Sequence, residues 1–498
     1  MGDPREQIAS AATGVPGLDD ILCGGLARDR VFLLEGSPGT GKTTLALSFA
    51  RAGAALGEPV LYVTLSETEE ELRDSAGSHG WDLEGVIVFE LAPPENLLDE
   101  KQQQSLLYSS DLELGETTQL ILEAVERVRP RRIVIDSLSE IRLLAQSSLR
   151  YRRQVLALKH YFAQHGATVM LLDDLTAEIS DKTVHSGAHG VIRLEELAPE
   201  YGAERRRVRV VKYRGRPYRG GFHDFAIRRG GLEVFPRLVS AEHKTRFDRS
   251  PLSSGIPGLD ELMGGGIERG TSCLILGPAG TGKSLLGVYF AVAAIERGER
   301  AALFIFDEER GLLIERAKAL GVDLDRLVEK GSLIIEQVDA AELSPGEFTA
   351  KVRDCVGRSE ARTVVVDSLN GYQVSMPEEH FLLLHMHELL QYLNRQGATT
   401  FLTVAQHGLV GDMRSPVDVT YLADTVLLLR YFEALGEIRR AVSVVKKRAG
   451  GHERSIREYR IGPDGFVVGS PLEQFQGVMR GVPTFVGGES GLMPKSDP

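Results

Sequence analysis

Cysteine is scarce in this sequence. Its 498 residues include only Cys23, Cys273 and Cys355, and no two of them form a CxxC pair. Three widely spaced cysteines exclude a fully paired disulfide framework and a cysteine zinc module. Because disulfides persist in oxidising compartments, this composition favours a reducing one and predicts a cytoplasmic protein.

Long apolar runs are also missing. No stretch reaches the roughly 18 consecutive apolar residues that a membrane-spanning helix needs. The opening segment, MGDPREQIAS, lacks the basic and then apolar regions of a secretory signal. The sequence therefore predicts a protein that has no membrane partner.

Basic residues are outnumbered by acidic ones. The chain has 58 Lys and Arg against 70 Asp and Glu, which gives a net charge of −12. Proteins that bind duplex DNA over much of their surface are usually basic. The charge balance thus disfavours nucleic acid as the main partner, although it leaves a local basic face open.

The chain contains an internal repeat. The segment TGVPGLDDILCGGL begins at Thr13, and a close copy, SGIPGLDELMGGGI, begins 241 positions later at Ser254. Four further motifs recur in the same order, which indicates a tandem duplication. The duplication predicts two domains, 1–245 and 246–498, joined near Ser240–Pro251, instead of the roughly three that length alone suggests.

Apolar, β-rich runs alternate with helical patterns in each half. Val31–Glu35 and Cys273–Leu276 precede glycine-rich loops, and a helical pattern such as Thr44–Ala55 follows. This alternation predicts an α/β fold whose mostly parallel sheet is covered by helices on both faces. Alternating side chains in Arg207–Tyr213 and Arg440–Lys447 predict additional antiparallel strands.

Each half carries one loop of the form G-x-x-x-x-G-K-[ST]. Its glycines let the backbone approach phosphate oxygens, and the N-terminus of the following helix favours an anion. The lysines are expected to reach the β- and γ-phosphates of ATP, and the next hydroxyls to coordinate Mg²⁺. The alternative is a glycine-rich turn with an ordinary surface lysine, but both copies follow an apolar run and open a helical pattern. The predicted binding residues are Gly36, Ser37, Gly39, Thr40, Gly41, Lys42, Thr43 and Thr44, and Gly277, Gly280, Thr281, Gly282, Lys283, Ser284 and Leu285.

An aspartate ends a run of β-branched residues in each half, Asp136 in the first and Asp367 in the second. The carboxyl edge of a parallel sheet is where ligands bind. Each aspartate is therefore predicted to hold Mg²⁺, directly or through water, together with Thr43 or Ser284. The alternative is that each caps a helix, since a serine follows it.

Acidic residues also follow the next strand of each half. Glu67 is preceded by Ser66, whereas Glu308 is preceded by Asp307. A carboxylate here can orient and deprotonate the water that attacks ATP. The alternative is that these residues merely begin a solvated acidic helix. Because only the second half has two adjacent carboxylates, the two sites are expected to differ in activity.

A basic pair recurs near the end of each half, as Lys212 with Arg214 and as Lys446 with Arg448. Residues two apart on a strand point to one face. Such a pair can act on the γ-phosphate of a neighbouring subunit's ATP. Equally, it can be the solvated face of a strand in basic surroundings, and the chemistry alone leaves both readings open.

The doubled order (T/S)GxPGLD, GKT/GKS, (S/D)E, IDS/VDS and K-x-R resembles the KaiC family of double-domain ATPases, from about Thr13 to Thr484. The resemblance implies two tandem RecA-like P-loop domains that form hexameric double rings with ATP between neighbouring subunits. It implies that both basic pairs reach the neighbour's γ-phosphate. The carboxylates of Glu67, Asp307 and Glu308 match the family's catalytic acidic pair, but Ser66 departs from it.

The clock member of this family also phosphorylates itself on an adjacent Ser and Thr in its second ring. In the corresponding stretch, VDVTYLADTVLLLRY, those two places are taken by Thr420 and Tyr421, and Ser415 is a further candidate. Thr420 keeps a hydroxyl that ATP bound to a neighbour can phosphorylate. The alternative is that Thr420 simply enters a strand, and the two readings have equal weight.

The leading hypothesis is a Mg²⁺-dependent ATPase, assembled as a homohexamer, with candidate Ser/Thr autokinase activity in the second half. Nucleotide state would be coupled to the binding of a KaiB-like or other signalling partner. Two rival hypotheses are a recombination or DNA-remodelling ATPase and a signalling scaffold that turns ATP over slowly. DNA-stimulated hydrolysis would favour the first rival, and unchanged phosphate release after loss of the acidic residues would favour the second.

Overall fold

The computed structural model describes residues 10–91, 106–175, 182–198, 202–243, 245–375, 379–406, 420–434, 436–478 and 484–486. The chain divides into two compact units, Met1–Arg237 and Leu238–Pro498. Leu238 packs in a hydrophobic cluster of the second unit. The Ser240 N–H donates to Glu388 Oε2 at 3.2 Å, and the Ser240 carbonyl accepts from Arg395 Nη1 at 3.1 Å. The predicted boundary after residue 245 lies a little beyond this division and stays a prediction.

The first unit contains eleven strands and seven helices among its described residues. The strands are β1 (Ser10–Ala11), β2 (Leu26–Ala27), β3 (Val31–Gly36), β4 (Val60–Thr64), β5 (Val86–Glu90), β6 (Arg132–Asp136), β7 (Thr168–Asp174), β8 (Gly190–Leu197), β9 (Arg205–Tyr213), β10 (His223–Arg228) and β11 (Gly231–Phe235). The helices are α1 (Leu18–Ile21), α2 (Lys42–Ala54), α3 (Glu69–Ser78), α4 (Leu106–Val128), α5 (Leu138–Ala145), α6 (Ser148–Gln164) and α7 (Lys182–Gly187).

The second unit repeats this plan. Its strands are β12 (Pro251–Leu252), β13 (Ile267–Glu268), β14 (Ser272–Gly277), β15 (Arg300–Ile305), β16 (Leu333–Gln337), β17 (Ala361–Asp367), β18 (Thr399–Ala405), β19 (Thr425–Ala434), β20 (Glu437–Lys447), β21 (Ile456–Gly462), β22 (Gly465–Pro471), β23 (Phe475–Gln476) and β24 (Thr484–Phe485). Its helices are α8 (Pro257–Leu262), α9 (Lys283–Glu296), α10 (Arg310–Ala319), α11 (Leu324–Glu329), α12 (Pro345–Gly357), α13 (Leu369–Ser375) and α14 (Glu379–Arg395), and a 3₁₀ turn spans Ser240–Glu242.

Each unit is built on a nine-stranded sheet. The order is β11-β10-β9-β8-β3-β7-β6-β4-β5 in the first and β16-β15-β17-β18-β14-β19-β20-β21-β22 in the second, the same arrangement read from opposite ends. Six strands from β8 to β5 are parallel, and β9, β10 and β11 add to one edge in antiparallel fashion. The second sheet pairs in the same way. The α/β prediction with extra antiparallel strands is confirmed.

Successive side chains of the central strands point to opposite faces of each sheet, and each face packs in its own hydrophobic cluster. Phe32 and Leu34 of β3 enter one hydrophobic cluster, and Val31 and Leu33 enter the cluster on the other face. Strand β14 divides its side chains in the same way. Parallel strands buried on both faces leave their carboxyl ends as the edge where polar loops can gather. Among the described residues, no helix is long and apolar enough to cross a bilayer.

Candidate functional site

The first glycine-rich loop joins the end of β3 to the start of α2. Gly39 and Gly41 have φ angles of 83° and 93°, the left-handed region that favours glycine. The Thr40 hydroxyl donates to the Ser37 carbonyl oxygen at 2.8 Å and closes the loop on itself. Helix α2 begins at Lys42 with Gly41 as N-cap and, within the described residues, without a side-chain cap. Its first N–H groups are therefore left for an anion.

Lys42 is nearly buried beneath this loop. Its Nζ donates to the carbonyl oxygens of Gly36 and Ser37, each at 2.9 Å. Asp174 Oδ1, at the end of β7, lies 2.6 Å from the same nitrogen. The lysine is thus turned toward the loop and held by a carboxylate that sequence reasoning did not single out.

Asp136 lies at the end of β6, beside the loop. Its Oδ2 accepts hydrogen bonds from the Thr43 hydroxyl at 3.1 Å and from the Tyr62 hydroxyl at 2.7 Å. Burial raises the pKa of Asp136, and these two hydrogen bonds oppose the rise. The structure therefore brings together a hydroxyl and a carboxylate, the oxygen ligands that Mg²⁺ takes alongside phosphate and water.

Glu67 follows β4 in a short turn. The Thr64 hydroxyl donates to the Glu67 carbonyl at 2.6 Å, and the Glu67 N–H donates back to that hydroxyl at 3.1 Å. Burial raises the pKa of Glu67, and the nearby charges of Asp136 and Glu71 raise it further. A carboxyl group with this surrounding is suited to accept a proton. The alternative interpretation, that these residues begin an acidic helix, is also partly right, since α3 begins two residues after Glu67 and has Thr68 as its N-cap.

The second glycine-rich loop joins β14 to α9 with the same geometry. Gly280 and Gly282 have φ angles of 78° and 90°. The Thr281 hydroxyl and Lys283 Nζ both donate to the Pro278 carbonyl at 2.8 Å. Burial lowers the pKa of Lys283, and the charge of Asp367 opposes this. Ser284, the predicted Mg²⁺ ligand, is the second residue of α9, as Thr43 is of α2.

The carboxylates of the second half are held by different partners. The Thr403 hydroxyl donates to Asp367 Oδ1, and the Ser368 hydroxyl donates to Asp307 Oδ2. Glu308 Oε2 lies 2.8 Å from Arg316 Nη2. Burial raises the pKa of Glu308, Arg316 opposes this, and Asp367 adds to it. Among the described residues, no group of three or more His, Cys, Asp and Glu side chains could hold a metal ion by itself. A Mg²⁺ ion that shares its ligands with ATP phosphates needs no such cage.

The basic pairs lie toward the end of each sheet where the parallel strands start. The phosphate loops lie at the other end, where those strands finish. Lys212 is opposite Val191, which is opposite Leu33, three residues before Gly36. At about 3.3 Å per residue, Lys212 is set back about 10 Å from the start of its own loop, and Arg214 is set back further. The second pair has the same register.

Backbone carbonyls hold both basic pairs in place. Lys212 Nζ donates to the Ala188 carbonyl at 2.7 Å, and Lys446 Nζ to the Ala423 carbonyl at 2.8 Å. Arg214 Nη2 donates to the Ser186 carbonyl at 2.7 Å. The strands end just before the arginines, so each pair straddles a strand end instead of lying within the strand.

Two of the candidate phosphate acceptors contact the second basic pair. Lys446 Nζ donates to the Thr420 carbonyl at 2.9 Å, and Arg448 Nη2 donates to the Tyr421 carbonyl at 2.8 Å. The Tyr421 side chain is exposed and Thr420 is half-buried. Ser415 lies outside the described residues.

The side chains that sequence reasoning missed at these sites include Tyr62, His79, Asp174 and Thr403. His79 Nε2 lies 3.4 Å from the Thr44 hydroxyl at the start of α2. Asp174 had a signal in the sequence, since it ends an apolar strand as Asp136 does. The other three had none, because each reaches the site from a distant segment.

A glycine-rich phosphate loop between a central parallel strand and a helix, present twice, defines a tandem P-loop protein of the RecA-like class. The family model described as "ATPase: KaiC" matches residues 11–239 and 252–473. The chain belongs to this KaiC ATPase family.

Curated relatives match nearly the whole chain. A protein of Acaryochloris marina named circadian clock oscillator protein KaiC is 27% identical over 97% of this chain and 92% of its own length. The circadian clock protein KaiC3 of Synechocystis sp. is 28% identical over 96% of this chain and 95% of its own length. Both alignments therefore span the two halves of this chain.

Proposed function

We propose that both loops bind Mg²⁺-ATP and that the protein hydrolyses it. Lys42 and Lys283 would contact the β- and γ-phosphates. Thr43 with Asp136, and Ser284 with Asp367, would hold Mg²⁺ in the two halves, where the ion would neutralise the charge on the phosphates. The contact between the Thr43 hydroxyl and Asp136 supports this assignment.

The attacking water would be oriented by Glu67 in the first half and by Asp307 and Glu308 in the second. A base must be ionised to accept a proton, and the raised pKa of Glu67 makes its conjugate acid weaker than an ordinary glutamic acid. In the second half, Arg316 holds Glu308 and Ser368 holds Asp307. The two halves are therefore proposed to hydrolyse ATP at different rates.

We further propose a homohexamer in which each basic pair completes a neighbour's site. The observation that carries this proposal is the setback of Lys212 and Lys446 from their own phosphate loops. A cation set back in this way is poorly placed to contact ATP in its own subunit. It can instead contact the γ-phosphate of ATP in an adjoining subunit, as an arginine finger does.

Light scattering after gel filtration tests the assembly. In Mg²⁺-ATP the protein is expected near six times its chain mass of 54.5 kDa. A strict monomer at micromolar concentration, with ATP turnover intact, would contradict the shared sites. Single-stranded DNA is expected to leave the hydrolysis rate unchanged, and stimulation by DNA would favour a recombination ATPase instead.

A second activity, autophosphorylation, is favoured by one contact. The Thr420 carbonyl accepts from Lys446, so the residue that carries the acceptor hydroxyl sits on the basic pair proposed to approach a neighbour's γ-phosphate. Asp307 or Glu308 of that neighbour's site would take the hydroxyl proton. Intact-mass spectrometry after incubation with Mg²⁺-ATP is expected to show one added phosphoryl group, which Thr420→Ala removes. No added mass would leave a plain ATPase.

The names of the relatives, which describe circadian clock proteins, indicate what hydrolysis could be coupled to. We propose that nucleotide state alters ring shape and so controls the binding of a KaiB-like or other signalling partner. Small-angle X-ray scattering in Mg²⁺-ATP and in Mg²⁺-ADP is expected to give different profiles. Identical profiles from fully loaded rings would contradict this coupling.

A further inference from the structure

The ammonium group of Lys42 has no proton left to offer. Lysine donates three hydrogen bonds. The structure gives Lys42 Nζ three acceptors: the Gly36 and Ser37 carbonyl oxygens at 2.9 Å and Asp174 Oδ1 at 2.6 Å. A phosphate oxygen can therefore reach this nitrogen only by replacing one of them, and Asp174 is the charged partner.

Asp174 is fixed by the fold and not by a flexible loop. It ends β7 and lies opposite Gly36 in the parallel register of β7 with β3. Ser139 Oγ lies 3.3 Å from both Asp174 Oδ2 and the Asp174 N–H. The carboxylate is thus presented to Lys42 by the strand that borders the loop.

The second half has the same backbone arrangement without the carboxylate. Ala405 ends β18 opposite Gly277, in the register that Asp174 has opposite Gly36. Asn370 takes the place of Ser139, since its Nδ2 donates to the Ala405 carbonyl at 3.2 Å and its Oδ1 accepts from the Ala405 N–H at 2.7 Å. An alanine side chain offers Lys283 no counter-ion.

We propose that Asp174 is a positioning residue that holds Lys42 as its counter-ion and competes with the triphosphate for it, which weakens ATP binding at the first loop only. The inference rests on the proposed function, because it needs ATP at that loop. When ATP binds, Lys42 would turn from one anion to another, and Asp174 would be left beside the polyphosphate, where like charges repel. The two loops would then differ in ATP affinity because of a side chain that touches the lysine in the first half only.

Nucleotide titrations on the full chain test this. In a Lys283→Ala background, which reports on the first loop, displacement of a fluorescent ATP analogue in Mg²⁺ buffer measures the ATP dissociation constant. Asp174→Asn and Asp174→Ala are each expected to bind ATP roughly two- to fivefold more tightly, the size of one partly exposed ion pair. Asp174→Glu keeps a carboxylate and is expected to keep the weaker affinity.

The second loop supplies the reciprocal experiment. In a Lys42→Ala background, Ala405→Asp is expected to weaken ATP binding by a similar factor, whereas Ala405→Asn is not. Steady-state kinetics should agree: Asp174→Asn lowers the KM for ATP in the first half by more than it changes kcat. Circular dichroism melts identify any variant that fails to fold, and the near-isosteric Asn variant keeps the test decisive if the Ala variant does.

Unchanged or weaker ATP binding by folded Asp174→Asn would overturn the inference, since the carboxylate would then be neutral or helpful to the nucleotide. The same holds if Ala405→Asp leaves affinity unchanged. A Lys283→Ala parent that binds no ATP is a separate outcome, which overturns the proposed function at the first loop and this inference with it.

Discussion

At the scale of single residues, the same carboxylate is held by unrelated partners in the two halves. Asp136 accepts a hydrogen bond from Tyr62 on β4, whereas Asp367 accepts one from Thr403 on β18. Mutating a residue that orients a metal ligand typically costs about 10- to 100-fold in metal affinity or activity. The two phosphate loops are alike, but different residues orient the proposed Mg²⁺ ligand in each half.

Replacing Tyr62 with phenylalanine should impair the first half selectively. The change removes the donor to Asp136 without opening a large cavity, so we expect Mg²⁺-dependent hydrolysis by the first half to fall about tenfold. Phosphate release measured against Mg²⁺ concentration in a Lys283→Ala background checks this. Thr403→Val in that background is the matched control and should change little. An equal loss in both variants would mean a general effect on folding.

The rate of the first half should depend on pH through Glu67. Burial and the charges of Asp136 and Glu71 raise the pKa of this carboxyl group above its ordinary 4.5. As the pH falls, a base with a raised pKa takes up its proton sooner than an ordinary glutamate does, and it can then no longer accept one from water. Activity is therefore expected to fall as the pH drops through that raised pKa. The pH profile of ATP hydrolysis measures this, and Glu67→Gln should remove most of the rate at every pH. An acid limb that persists with undiminished rate in that variant would assign the proton to another group.

At the scale of secondary-structure elements, one buried arginine joins four segments of the first unit. Arg132 on β6 is fully buried; its Nε lies 2.6 Å from Glu58 Oε2 before β4. Its Nη1 donates to the carbonyls of Ala12 at 2.7 Å and Phe49 at 2.9 Å, next to β1 and within α2. The matching position on β17 is Thr363, so the second unit is joined without this ion pair.

Replacing Arg132 with alanine should destabilise the first unit. Removing one partner of a buried ion pair strands the other and opens a cavity, so the free energy of unfolding is expected to fall by about 3 kcal/mol. Urea unfolding followed by the fluorescence of Trp81, which lies in the first unit, measures the change. Thr363→Ala is the control, and it should leave this transition where it is. A shift of under half the expected size would mean that Arg28, which also contacts Glu58, carries most of the stabilisation.

At the scale of the whole molecule, the antiparallel strands decide where the basic pairs lie. Strands β9 and β20 run back along the sheet and end at the edge from which the parallel strands start. A cation there is set back from its own phosphate loop. In the proposed hexamer, the ATP of an adjoining subunit would be its phosphate partner.

A subunit-mixing experiment tests this sharing. Lys212→Ala with Arg214→Ala should lower hydrolysis in the first half on the order of a thousandfold, the size typical of an arginine finger. Lys42→Ala should be equally inactive there. Mixed rings of the two inactive variants, both made in a Lys283→Ala background, are expected to regain part of the activity, because some interfaces then combine an intact loop with an intact pair. No recovery in rings proven to be mixed would place the two groups in the same subunit.

The sequence by itself determined the features that are contiguous along the chain. The repeat, the two phosphate loops, the α/β alternation and the aspartates that end β6 and β17 could all be read directly, because a P-loop needs its glycines, lysine and hydroxyl within eight consecutive residues. Tertiary structure alone decided what meets those features across the sheet. Strand order brings Asp174 to Lys42, Tyr62 to Asp136 and Thr403 to Asp367, and it sets Lys212 back from Gly36. Strand order depends on how the helices and the faces of the sheet pack together, and a local sequence pattern does not reveal this packing.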